Sequence, residues 1–214
     1  MADEYYFFDS VKIFTHHKLN TDIVPVDLDT VLDLRPEKSG KAALHYTIPN
    51  SVISDEFNKL LDMGGMVVDH AEVFYRPGNG ESMDAYIHTD GHVVRAGFAK
   101  INYVVGGKNN LMKWYRPLTV TEELTTPVGT KYLRFAPKDC KLIDQLDMQG
   151  LYIVNAAIPH SVEMTTGSTV EPRICISITP KNKCGKYSTA GCIDTKYRLT
   201  HALSNLEKAS STAS

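Results

Sequence analysis

The chain has 214 residues, with 23 Lys plus Arg against 25 Asp plus Glu, a formal charge of -2 and no block of like charge. That balance argues against nucleic acid as a partner. The length suits a single domain, residues 1 to 214, whose core needs no disulfides, and the four cysteines, Cys140, Cys175, Cys184 and Cys192, form no paired CxxC knuckles and read as reduced thiols.

The opening MADEYYFFDSVKIF has neither a basic segment followed by a long apolar run nor a membrane span, so the expectation is a cytoplasmic protein with no membrane partner. His16 and His17 in FTHHKL have no carboxylate close in sequence, and His45 and His201 stand alone; each reads as packing or surface. Residues 1 to 70 read as a covering region. Within it SDEFNKLLDMGG predicts a helix, with Ser54 as N-cap, Asp55 and Glu56 in the first turn, Phe57, Leu60 and Leu61 on one face, and glycines at the stop.

From 71 to 180 the chain is a series of short β-rich runs broken by Gly, Pro, Asn and Asp. The predicted strands are AEVFYRP (71 to 77), AYIHTD (85 to 90), VRAGFAKINYVV (94 to 105), LMKWYRPL (111 to 118), KYLRFAP (131 to 137), LYIVNAAIP (151 to 159) and RICISITP (173 to 180). So many short strands suggest a sandwich or jelly roll. Trp114, with Arg116 beside it, reads as core on a half-buried strand. NGES at 79 to 82 and GGKNN at 106 to 110 have the polar, Gly-rich character of loops suited to a lid. From 195 on, TKYRLTHALSNLEKA predicts a C-terminal helix with Tyr197, Leu199, Leu203 and Leu206 on one face, ahead of a frayed SSTAS tail.

Chemistry concentrates in AYIHTDGH. On a strand His88 and Asp90 leave the same face, the start of a two-ligand clamp. The same spacing recurs as His70 and Glu72 in DHAEVFY, which read as surface residues at a strand start, so spacing alone identifies nothing. A mononuclear site needs a third ligand, and His160, after Pro159, is the best candidate, since jelly-roll closure brings remote strands together. Two histidines and a carboxylate suit non-haem Fe(II) and leave positions open for chemistry. His92 follows Gly91, where a bend is expected, and reads as solvent-facing or substrate-side. In RICISI the alternation puts Arg173, Cys175 and Ser177 on one face and Ile174, Ile176 and Ile178 on the other. An arginine with a hydroxyl on its face could hold the far carboxylate of a dicarboxylate; the plain alternative is a surface arginine on an edge strand.

Over roughly residues 70 to 180, these motifs resemble the Fe(II)/2-oxoglutarate-dependent oxygenases, which carry His-x-Asp, a distal His and an Arg shortly after it. VFYRPGNGESMDAYIHTDG looks most like the prolyl-hydroxylase branch, with Tyr75, Pro77, Gly78 and Tyr86 in matching places. The resemblance implies a mainly β fold, a double-stranded β-helix (jelly roll) core with a few flanking α-helices. It implies His88, Asp90 and His160 as iron ligands and 2-oxoglutarate anchored by Arg173, with Tyr103, Tyr75 and Ser177 contacting it. Many members have Ser or Thr two places after the arginine, where this chain has Cys175. Further implied are Fe(II), 2-oxoglutarate and O2 as cofactors, and a primary substrate, peptide or small molecule, that the sequence does not name. Two alternatives stay open: a cupin-like metalloprotein that does not use 2-oxoglutarate, and a non-catalytic jelly-roll interaction module.

Overall fold

The computed structural model describes residues 13–36, 44–77, 86–91, 99–107, 110–119, 122–125, 131–164, 171–183 and 191–212. The elements in chain order are β1 (His16–Lys18), α1 (Leu28–Asp33), β2 (Leu44–Ile48), α2 (Asp55–Met63), β3 (Met66–Arg76), β4 (Ile87–His88), β5 (Ala99–Val105) and β6 (Asn110–Pro117). They continue with β7 (Glu122–Thr125), β8 (Lys131–Phe135), β9 (Cys140–Asp147), β10 (Gly150–Asn155), β11 (His160–Met164), β12 (Arg173–Asn182) and α3 (Cys192–Thr212). The strands form two antiparallel six-stranded sheets, ordered β1-β10-β5-β12-β3-β2 and β7-β8-β4-β11-β6-β9. This is a mainly β jelly-roll architecture with helices on one side.

The first sheet is covered on both faces, and strand parity decides which residue meets which cover. Ala71, Val73, Ile101, Ile153, Ile174, Ile176 and Ile178 pack with Phe57, Leu60, Leu61, Leu199 and Ala202 of α2 and α3. The opposite face joins the second sheet, where Val104, Val154 and Cys175 pack with Met112 and Trp114. In β3 the pairing with β12 shifts register at Thr179/Pro180. The irregularity resets parity, so that Met66 and Val68 before it, and Ala71 and Val73 after it, all reach the helix side. α2 starts as the capping pattern predicts, with Phe57 N donating to Ser54 Oγ at 3.2 Å.

Several expectations change. The run predicted to end at Pro159 stops pairing at Asn155, turns a corner, and restarts at His160 as β11 in the other sheet. β1, β2, β7 and β9 were not expected as strands. Tyr197 is 74% exposed; the buried stripe of α3 is Cys192, Thr195, Leu199 and Ala202, a spacing of three and four that leaves Tyr197 outside it. α3 runs through Thr212, so Ser210, Ser211 and Thr212 of the tail are helical. Cys140, Cys175 and Cys192 are free thiols. Cys184, His92, Gly78 and the 79 to 82 segment lie outside the described residues. Among the described residues no helix is long and apolar enough to cross a membrane.

Candidate metal centre

Three elements deliver the cluster. His88 ends β4 and pairs in register with His160, the first residue of β11. Asp90 follows β4 and is fixed by its own backbone, whose N–H donates to Ala156 O at 3.0 Å. His88, Asp90 and His160 thus offer ligand atoms all within 4.8 Å of one another. Asp90 Oδ1 lies 3.5 Å from His88 Nε2 and 3.6 Å from His160 Nε2. Those separations are too long for direct hydrogen bonds and suit a shared cation.

The backbone sets the histidine tautomers. His88 Nδ1 sits 2.8 Å from Tyr86 O, and His160 Nδ1 sits 2.8 Å from Ile158 O. A carbonyl can only accept, so each Nδ1 carries the proton and each Nε2 keeps a lone pair for a ligand bond. Burial, and then the neighbouring His88, push the His160 imidazole down to about 4, so it is neutral at pH 7. Burial opposes protonation of His88, but the adjacent Asp90 carboxylate outweighs it and raises that imidazole. Burial would raise Asp90; Lys100 and the two histidines instead hold it well below the usual carboxylate range.

Lys100, on β5, was not anticipated from sequence. Its ammonium bridges Asp90 Oδ2 at 3.0 Å and Glu72 Oε2 at 3.1 Å, and Glu72 Oε1 meets His45 Nε2 at 3.1 Å. Lys100 therefore occupies one oxygen of Asp90 and leaves the other turned to the histidines. Glu72 is thus not the surface residue expected at a strand start. His70 is exposed and pairs instead with Asp69 Oδ2 at 2.9 Å and with Thr179 Oγ1 at 3.1 Å. His16 packs, as expected, by stacking on Trp114 at 4.8 Å, and it also lies 3.3 Å from Asp144 Oδ2, contributed by the distant β9. Trp114 itself is fully buried core.

The same cleft is lined by Arg173, Cys175, Ser177, Asn102 and Arg76 together with the cluster. β12 lies between β5 and β3, and Arg173 is 4% exposed, which rules out the surface arginine on an edge strand. Ser177 Oγ is buried there without a hydrogen-bond partner. Tyr75 and Tyr103 are not brought to the site. Both pack against the helix-side core, because they share parity with Val73 and Ile101. The cleft-facing neighbours are Arg76 on β3, and Lys100 and Asn102 on β5. The readable signal was the alternation in AKINYVV, which groups Lys100 with Asn102 and Tyr103 with the aliphatic face.

No family model and no curated protein matches the chain. Among solved structures, HygX from Streptomyces hygroscopicus with nickel and 2-oxoglutarate bound is similar at 9% identity, over 88% of this chain and 89% of that one, with a TM-score of 0.43. E. coli ycfD is similar at 11% identity, over 80% of this chain and 51% of its own, with a TM-score of 0.40. Vicilin from Corylus avellana (hazelnut) is similar at 15% identity, over 69% of this chain and 32% of its own, with a TM-score of 0.34. The cluster's own geometry, rather than these remote likenesses, carries the chemistry.

Proposed function

We propose that the chain is a non-haem Fe(II)- and 2-oxoglutarate-dependent oxygenase that hydroxylates a protein side chain or a small metabolite, with release of succinate and CO2. The observation that carries the reading is one cleft holding both the His88, Asp90 and His160 donors and the buried Arg173 with an unsatisfied Ser177 hydroxyl.

The residues fit both groups. Two imidazole nitrogens with free lone pairs and one carboxylate oxygen are the donors non-haem ferrous iron takes, and three protein ligands leave positions open. Arg173 supplies a fixed fork for a carboxylate and Ser177 a further donor. When bound, iron and 2-oxoglutarate supply the oxidising chemistry of O2, with 2-oxoglutarate consumed to succinate and CO2. The chain's own work is positional. The Tyr86 and Ile158 carbonyls aim the imidazoles, Lys100 fixes which oxygen Asp90 presents, and Arg173 orients the diacid. The apolar neighbours Val154, Ala156 and Val162 restrict water in the cleft.

The test is anaerobic titration with Fe(II) and 2-oxoglutarate, following the weak visible band of the chelate, then admission of O2 and assay of succinate. Wild type should form the band and release succinate. Arg173→Ala should keep iron but bind 2-oxoglutarate at least about tenfold more weakly. Iron binding with no response to 2-oxoglutarate would point instead to a cupin-like metalloprotein, and absence of iron binding to a non-catalytic module.

A further inference from the structure

We propose that Arg76 and Arg173 together form a two-guanidinium clamp for the far carboxylate of a dicarboxylic ligand. The clamp deepens the oxygenase reading and rests on it for naming 2-oxoglutarate as that ligand. Arg76 and Arg173 are register partners across β3 and β12, and both line the cleft. Opposed side chains of an antiparallel pair stand about 4.5–5.5 Å apart at Cβ, so both forks can reach one carboxylate between the sheets. Arg76 is also pinned from the opposite sheet, its Nη1 donating to Val162 O at 3.1 Å.

Two cations side by side in a half-buried cleft repel one another unless an anion joins them. Burial, and then Arg173, lower the Arg76 guanidinium from its ordinary value. The cleft's carboxylates do not relieve the repulsion: Asp90 and Glu72 pair with Lys100. Among the described residues, no ion pair engages either arginine. Ser177, two residues further along the same face of β12 beyond Cys175, keeps an unpartnered buried hydroxyl. The structure therefore presents a concentrated positive, donor-rich end with no internal counterion among those residues, which matches a carboxylate better than a neutral group. Arg76 stands next to Tyr75, the residue from which a ligand contact was expected, and faces the cleft in its place.

The test uses the full chain, as wild type, Arg76→Met and Arg76→Gln; glutamine keeps an N–H donor for Val162 O while removing the charge. Calorimetry measures binding of 2-oxoglutarate and of 2-oxopentanoate, which keeps the 2-oxo acid head and length but lacks the far carboxylate, to anaerobic Fe(II)-loaded protein. Succinate is titrated into metal-free protein. Both variants should lose about 10- to 100-fold in affinity for 2-oxoglutarate and succinate. Both should bind 2-oxopentanoate like wild type, and unliganded Arg76→Gln, which keeps a donor for Val162 O, should melt no lower than wild type because a repulsion is relieved. Equal losses for 2-oxoglutarate and 2-oxopentanoate, or no loss for either, would overturn the clamp and leave Arg76 as a support of the fold. If wild type fails to bind 2-oxoglutarate but binds succinate in an Arg76-dependent way, the oxygenase reading falls and the clamp stands. If wild type binds no dicarboxylate, the clamp falls.

Discussion

Asp90 can serve as a one-oxygen ligand because Lys100 holds its other oxygen, and Lys100 stays charged in a buried place because Glu72 stands on its far side. Burial disfavours that ammonium, yet the Asp90 and Glu72 charges outweigh it and raise Lys100 above its ordinary range. Removing one member of a buried, hydrogen-bonded charge network costs about 3–5 kcal/mol, since the remaining charges lose their compensation. Lys100→Met should show that loss in urea unfolding, and adding Glu72→Gln should recover part of it; an unchanged midpoint in Lys100→Met would remove the network from the account. The hydrogen bond from His45, and Lys100 against the opposing effect of burial, bring the Glu72 carboxyl down to about 2 from 4.5. A depressed carboxyl stabilises the fold fully above its unfolded value, and the contribution shrinks as pH falls from about 5 through 2, vanishing only below that, where both states are protonated. Glu72→Gln should therefore be less stable than wild type at pH 7, with the gap narrowing steadily as pH falls from about 5 to 2, as followed by urea midpoints across that range. A gap that stays constant with pH would contradict the assignment.

At the scale of elements, β12 does two jobs by parity alone. Its isoleucines build the helix-side core, and its Arg173, Cys175 and Ser177 build the cleft wall. That division was legible in RICISI, because strict alternation on a strand buried on both faces leaves few other arrangements. The α2 cap was legible for a similar reason, Ser54 preceding two acids and an apolar stripe. What escaped depended on neighbours. β11 could not be told from a loop, since HSVEM has little propensity of its own and is held by β4 and β6 on either side. Tyr75 and Tyr103 were drawn towards the site by resemblance although their own alternation places them with Val73 and Ile101. Two outcomes follow at this scale. Ile176→Ala, at a fully buried position in the middle of β12, should cost about 2–5 kcal/mol in chemical denaturation, with an unchanged value assigning the site to a surface. Gly107 has a φ of 61°, and a Cβ there would lie 2.3 Å from Arg173 Cβ. Gly107→Ala should both destabilise the turn after β5 and weaken 2-oxoglutarate binding by moving the Arg173 stem; full affinity in a folded Gly107→Ala protein would show that the stem need not rest there.

For the whole molecule, the two sheets matter because neither holds the site alone. The second sheet brings His88 and His160 together as register partners, while the first supplies Lys100, Arg173 and Arg76 from its inward face. The fold class was readable from the density of short strands, and the distant partnership of His160 with His88 and Asp90 from the needs of a three-ligand centre. Lys100, Glu72 and His45 were not readable in that way, since their meeting is set by the registers of β5 and β3 on either side of β12 and of β2 on β3. The most direct measurement is an anomalous difference map at the iron edge from crystals of the chain grown anaerobically with Fe(II) and 2-oxoglutarate. The account predicts a single iron peak enclosed by His88 Nε2, Asp90 Oδ1 and His160 Nε2. Iron held by other side chains, or no peak with the His160 ring turned away from the other two, would contradict it.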